Sequence, residues 1–147
     1  LKKALENTTE KFDYVLIDCP PSLGLLTLNA LSAAQKLIIP IQCEYFALEG
    51  LGQLIETTKL IKGINPVLTV GGVVLTMYDS RTKLSENVVK DVKDFFGEVA
   101  FDTIVPRNVR LSEAPSYGQT IFQYDPKSTG ALAYKKLASE FIKRFEN

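Results

Sequence analysis

The chain has 147 residues, 46% hydrophobic and 23% charged, which is the balance of an ordinary globular protein long enough to bury one core without disulfides. Lys plus Arg and Asp plus Glu each number 17, so the net charge is zero and a case for nucleic acid must rest on local patches. The absence of histidine excludes His-based catalysis and His-ligated metals, the two cysteines are too few for a disulfide framework, and no apolar run reaches the ~18 residues of a membrane span. Cys19 and Cys43 read as reduced, buried thiols of a cytoplasmic protein. The chain opens on Leu1 without a signal-peptide pattern, consistent with an excised or truncated piece.

Taken in order, residues 14–18 form an apolar run closed by Asp18, and they predict a strand. Pro20 and Pro21 follow, and neither can continue a central strand. Residues 25–34 space their apolar side chains as a helix does, and residues 37–41 read as a second buried strand. A helix is expected over 47–61, with Leu48, Leu51, Ile55 and Leu60 among its apolar positions, ended by Gly63, Asn65 and Pro66. Residues 67–77 are rich in β-branched side chains and predict a third strand. Ser85 is the expected N-cap of a helix running to Phe96, with Gly97 as its C-cap. A fourth strand over 101–105 stops at Pro106, and 121–124 suggests a short fifth. The last helix, 128–145, carries Tyr134, Leu137, Phe141 and Phe145 on one stripe.

Nearly all-apolar strands separated by helices imply an α/β fold, a mostly parallel sheet with helices on both faces. No repeat, low-complexity tract or linker interrupts the chain, so 1–147 reads as a single domain. Ligands of such sheets bind outside the carboxyl ends of the strands. Those ends are residues 18–23, 42–45, 77–82 and 106–110, and all carry polar or proline-rich segments.

Asp18 closes its apolar run where a carboxylate could hold an ion, though an aspartate there can equally cap a loop or the next helix. The segment Asp18-Cys19-Pro20-Pro21-Ser22-Leu23-Gly24 resembles the Walker B and switch II region of the ParA/Soj group of deviant Walker partitioning ATPases. The resemblance continues through Pro40-Ile41-Gln42-Cys43-Glu44-Tyr45-Phe46-Ala47-Leu48-Glu49-Gly50 and Leu75-Thr76-Met77-Tyr78-Asp79-Ser80-Arg81-Thr82. It is strongest in Ile104-Val105-Pro106-Arg107-Asn108-Val109-Arg110-Leu111-Ser112-Glu113-Ala114-Pro115-Ser116-Tyr117-Gly118, and it closes with Tyr124-Asp125-Pro126-Lys127-Ser128. These blocks fall in family order and span nearly the whole chain.

The resemblance implies a truncated P-loop NTPase-like fold in which ATP and Mg²⁺ are cofactors of the intact protein. Asp18 would hold Mg²⁺ through water, because Mg²⁺ dehydrates reluctantly. Pro20 and Pro21 would stiffen the loop that senses the nucleotide, and Met77, Pro106, Arg107 and Asn108 would form the adenine side. Pro106 is as readily a strand terminator, and Asn108 a turn residue bonding its own backbone. Glu44 and Glu49 flank a helix start, where the helix dipole alone favours a carboxylate.

The resemblance also implies an ATP-switched homodimer, a ParB-type partner and non-specific DNA binding, with Arg81 and Arg110 at positions resembling the family's DNA-contacting arginines. Residues 76–110 hold six basic and six acidic side chains, so local charge adds no support there. Residues 127–144 hold five basic side chains and one acid, 5 − 1 = +4, which either extends a phosphate-binding patch or is a solvated helix face. A membrane helix like that of MinD, a relative of this group, is not expected, because the apolar stripe is better used against the sheet. The expected location is the cytoplasm, on the nucleoid.

One departure weighs against activity. A phosphate loop needs a G-x-x-x-x-G-K-[ST]-like stretch, and none of the nine glycines is followed by Lys and then Ser or Thr. This chain alone is therefore expected to bind ATP weakly and not to hydrolyse it. The alternative reading is a non-catalytic α/β binding module that has lost nucleotide binding. A third is another enzyme on the same sheet, such as a small-molecule ligase or reductase component, against which the 106–118 block argues.

Overall fold

The computed structural model describes residues 1–6, 12–20, 24–47 and 62–146. Of the helix expected over 47–61 only Ala47 is among them, at the end of the 3-10 turn Tyr45–Ala47, and Glu49 and Pro21 also lie outside. Two strands, β1 (Lys36–Gln42) and β2 (Thr69–Thr76), are hydrogen-bonded neighbours. The Thr69 N–H donates to the Gln35 carbonyl at one end, and the Cys43 N–H donates to the Thr76 carbonyl at the other, so the strands run parallel. The chain divides into two compact units, residues 1–37 with 51–71 and residues 38–50 with 72–147.

In the first unit, α1 (Lys2–Leu5) is followed by α2 (Leu25–Ala33). Leu31 and Leu68 form its buried core, with Leu28, Ala34 and Leu37 packed against them. The last carbonyls of a helix have no partner within it. Here the buried Asn65 donates from Nδ2 to the carbonyls of Leu31 at 2.9 Å and Ala34 at 2.8 Å. Asn65 therefore does more than break a helix, because it staples the end of an earlier one. The strand expected over 14–18 does not form, and Leu16 is 79% exposed. A run of strand-forming residues becomes a strand only where a neighbour meets its backbone groups. No ladder reaches this segment among the described residues.

The second unit is built on β2, whose Val73 and Leu75 are fully buried. Beside it runs the segment expected as the fourth strand, 101–105, which forms no continuous strand and is flanked by isolated bridges only. Parallel bridges pair Val73 with Ala100 and Tyr78 with Pro106. The Phe101 N–H donates to Val73 and the Val105 N–H to Leu75, both at 2.8 Å. Four residues on one side thus span two on the other, so residues 102–104 bulge out of the ladder. The freed N–H groups of Asp102 and Thr103 donate to the two oxygens of Glu140, at 2.7 and 2.9 Å.

Helix α3 (Lys83–Phe96) begins three residues earlier than expected. Its cap is Thr82, whose hydroxyl accepts from the Ser85 N–H, while the Ser85 hydroxyl donates to the Cys43 carbonyl at 3.2 Å. Gly97 closes the helix with φ 53°, as expected of a residue without Cβ. A one-turn helix, α4 (Val109–Glu113), follows. Residues 121–124 form not a strand but α5 (Ile121–Tyr124), because Thr120 and Gln123 make a reciprocal capping box.

The last helix, α6 (Thr129–Phe145), is capped by Ser128. Leu137, Phe141 and Phe145 pack on Val74, Phe101 and Val105, whereas Tyr134 is exposed and outside this stripe's contact. The Phe101 ring occupies the space a side chain at Gly72 would need, since a Cβ there would lie 2.1 Å from the ring. Arg144 covers the same ring at 4.0 Å from its centroid.

Candidate functional site

In the second unit, the carboxyl end of β2 and the end of its bulged neighbour meet. The Tyr78 N–H donates to Val105, and the Arg107 N–H returns a bond to the Tyr78 carbonyl at 2.9 Å. This places Met77 and Tyr78 beside Pro106 and Arg107, so four sequence-selected residues, Met77, Pro106, Arg107 and Asn108, fall on adjoining strand ends. Met77 has φ 56°, the left-handed region that a bulky side chain adopts only at a cost of about 1–2 kcal/mol. It is the one non-glycine residue with positive φ among the described residues. Strain of that kind recurs where a backbone is held for a ligand.

Asn108 is engaged at both ends of its amide. Its Oδ1 accepts from the Arg110 N–H at 2.8 Å, capping α4, and its Nδ2 donates to the Thr129 hydroxyl at 2.6 Å. The turn-and-cap role is therefore occupied, and one N–H of the amide and one lone pair of its oxygen remain for a further partner.

The two arginines selected for DNA contact both meet carboxylates. Arg81 grips Asp79 through Nε at 2.8 Å and Nη2 at 2.6 Å, yet its side chain stays 84% exposed. The hydrogen bonds and charge of Arg81, with Arg107 nearby, hold the Asp79 carboxyl far below the usual carboxylate range. Arg110 pairs with Glu113 at 2.9 Å and with Asp125 at 3.6 Å, and Tyr124 donates to the same Glu113. These acidic partners escaped sequence reasoning. Only Glu113 was signalled, by its i, i+3 spacing from Arg110.

At the carboxyl end of β1, Gln42, Glu44, Tyr45, Phe46 and Leu84 line an open cleft of about 480 Å³. Asp18 and Pro20 lie in the first unit, both exposed, with the Pro20 carbonyl accepting from the Thr27 hydroxyl at 3.4 Å. The described residues contain no group of three or more Cys, Asp or Glu side chains able to cage a metal. No described helix is long and apolar enough to cross a membrane.

A family model described as an AAA domain matches residues 1–70. The chain is 55% identical to the chromosome-partitioning ATPase Soj of Treponema pallidum, over 98% of this chain and 57% of that protein. It is 55% identical to the sporulation initiation inhibitor protein Soj of Bacillus subtilis, over 95% of this chain and 56% of that one. It therefore spans about half the length of the curated relatives it matches. Among solved structures, cobyrinic acid a,c-diamide synthase of Mycobacterium smegmatis with ADP and magnesium superposes with a TM-score of 0.79 at 38% identity, covering 99% of this chain and 53% of the synthase. The septum site-determining protein MinD of Pyrococcus horikoshii with Mg-ADP superposes at 0.69 and 23% identity, over 95% of this chain and 54% of MinD, which speaks to the fold alone. The fold is thus α/β and P-loop NTPase-like.

Proposed function

Because the chain belongs to the Soj/ParA group of chromosome-partitioning proteins, we propose that it is the C-terminal portion of a partitioning ATPase domain, whose nucleotide state switches homodimerisation and non-specific DNA binding. The observation that carries this reading is 55% identity to Soj over 98% of the chain, well above the 38% shared with the diamide synthase. In the intact protein the chain would act on the nucleoid in the cytoplasm, with a ParB-type partner stimulating release.

ATP and Mg²⁺, when bound, supply a transferable phosphoryl group and the cation that neutralises its charge. The residues fit such a group in part. A single exposed carboxylate, Asp18, suits an ion held through water and phosphate oxygens rather than in a protein cage. The strained Met77 and the half-buried Pro106 suit the faces of a base, held in place by the backbone bonds between Tyr78 and Arg107. The phosphate cradle is not among this chain's glycines, so the chain by itself does not turn over ATP. Arg81 and Arg110 make the phosphate contacts to DNA, joined by the exposed lysines of α6.

The test is a chimera in which this chain replaces the matching part of Bacillus subtilis Soj. It is expected to hydrolyse ATP and to bind duplex DNA in ATP, and Asp18→Ala is expected to abolish hydrolysis. A chimera that folds by circular dichroism but does neither overturns the proposal and favours the binding-module alternative. ATP turnover by the isolated chain that vanishes in Asp18→Ala contradicts the placement of the cradle elsewhere.

A further inference from the structure

The Asp79–Arg81 pair has a geometry that a chance surface ion pair lacks. Three bonds converge on one carboxylate. The Arg81 N–H donates to Oδ1 at 3.0 Å, Nε donates to the same oxygen at 2.8 Å, and Nη2 donates to Oδ2 at 2.6 Å. The carboxylate is itself anchored by its backbone. The Asp79 carbonyl accepts from the Thr82 N–H and hydroxyl, both at 3.1 Å, and the Asp79 N–H donates to the Ser85 hydroxyl. Asp79 is thus fixed to the cap of α3 and to the end of β2, and only 19% of its side chain is exposed.

A guanidinium has two forked edges, one made by Nε and one Nη, the other by both Nη groups. Asp79 occupies the first. The second keeps its donors, and the 84% exposure of Arg81 turns the group outward. A free arginine loses several rotatable bonds when it binds a phosphate. Arg81 has already given up that freedom. The opposing effect is repulsion between Asp79 and the incoming phosphate. It acts across the guanidinium, in high dielectric and under salt screening, so it is the weaker of the two.

We propose that Asp79 is a positioning residue for Arg81, holding the guanidinium by its side edge so that its end edge is presented to a backbone phosphate. This rests on the reading of Arg81 as a DNA contact, and it makes a counterintuitive demand: removing a negative charge from the surface must weaken binding to a polyanion.

The experiment titrates a labelled 40-base-pair duplex of arbitrary sequence with the Soj chimera carrying this chain, in ATP, at several concentrations of monovalent salt from about 50 mM, where phosphate contacts are strongest. The chimera is compared with its Asp79→Ala, Asp79→Asn and Arg81→Ala variants. Arg81→Ala is expected to weaken binding about tenfold and to lower the salt slope by about one. Asp79→Ala is expected to weaken binding about three- to fivefold with the slope unchanged, because the phosphate contact survives but is no longer prepared. Asp79→Asn keeps an acceptor at Oδ1 for the turn and should fall between. Arginine Nε–H NMR resonances report pairing independently, and the Arg81 signal should lose its distinct shift in Asp79→Ala while the melting temperature stays within a few degrees. Tighter binding by either Asp79 variant, or no change in a variant that remains folded, overturns the proposal while leaving the DNA reading intact. An Arg81→Ala chimera that binds as well as the unaltered chimera, or a folded chimera that does not bind in ATP, removes the DNA reading and this proposal with it.

Discussion

Replacing Glu140 by Ala should produce a large loss of stability for a residue that is neither apolar nor part of the candidate site. The Glu140 carboxylate accepts the N–H groups of Asp102 and Thr103, which the bulge has taken away from β2, and it also pairs with Arg144 at 3.4 Å. Hydrogen bonds to a charged group contribute about 1.5–3 kcal/mol each. The two are not equally exposed to loss. Asp102 is exposed and its N–H can recover water, whereas Thr103 is 2% exposed and its N–H cannot. Arg144 keeps the carbonyls of Val99 and Ala100, so it is not orphaned. The expected net loss is therefore about 2–3 kcal/mol, a drop of roughly 5–10 °C in melting temperature for a chain of this size. Burial pushes the Glu140 carboxyl up, but the donors from Thr103 and Asp102 and the charge of Arg144 outweigh it, leaving it below its ordinary value of 4.5. A carboxyl depressed by folding adds stability above its unfolded pKa, and that stability is lost as pH falls through the folded value. The gap between the unaltered chain and Glu140→Gln, followed by urea unfolding, should be full at pH 7 and close below about pH 4.5. A melting temperature within about 1 °C of the unaltered chain for Glu140→Ala, or a gap that widens on acidification, refutes the reasoning.

Gly72→Ala should destabilise by about 2–3 kcal/mol by denaturant titration, since the new methyl meets the buried Phe101 ring at 2.1 Å and the ring has no exposed side to move toward. Met77→Gly should raise the melting temperature by a few degrees, corresponding to about 1 kcal/mol of relieved backbone strain, while weakening nucleotide binding by the Soj chimera. Burial pushes the Cys43 thiol up to about 11, so at pH 8 its thiolate fraction is about one in a thousand. Iodoacetamide followed by mass spectrometry should accordingly modify Cys19 first and Cys43 only on unfolding.

What the sequence made legible follows from how local each cause is. The strands at 37–41 and 67–77 were readable because their residues are covered by the molecule itself, and the observed β1 and β2 match them to within two residues. Gly97 and Ser128 were readable because a helix end is decided by one residue's backbone or hydroxyl. Residues 121–124 misled because Ile, Phe and Tyr favour strands, yet the Thr120–Gln123 box that makes them a helix lay in plain view. Ser85 was the wrong choice of cap for a simple reason. The structure gives that role to Thr82, three residues earlier, while the Ser85 hydroxyl donates to the Cys43 carbonyl 42 residues away. The bulge at 102–104 was illegible, since its cause, Glu140, is 37 and 38 residues downstream. For the candidate site, the strand ends were legible as a region, but Met77, Pro106, Arg107 and Asn108 were singled out by the resemblance to the ParA/Soj group and not by residue type or spacing. The strain at Met77 and the occupied amide of Asn108 belong to backbone geometry that no spacing encodes.

Helix α6 shows how the +4 excess of residues 127–144 should be read. Glu140 and Arg144 cancel each other in an internal ion pair, and Arg144 is further committed to two carbonyls and to the face of Phe101. The excess therefore resides in Lys127, Lys135, Lys136 and Lys143, all exposed and none ion-paired among the described residues. At about 100° per residue, Lys135, Lys136 and Lys143 fall within one arc of roughly 100°, with the Leu137, Phe141 and Phe145 stripe on the far side and the Glu140–Arg144 clasp between. One helix thus fills the core, satisfies the bulge and presents cations, each on its own face. Unpaired lysines interact with phosphates as point charges and read no bases. In the DNA reading proposed above, a contact assembled from them and from carboxylate-held arginines is sequence-independent, and neutralising any single lysine should lower affinity modestly and uniformly across sequences.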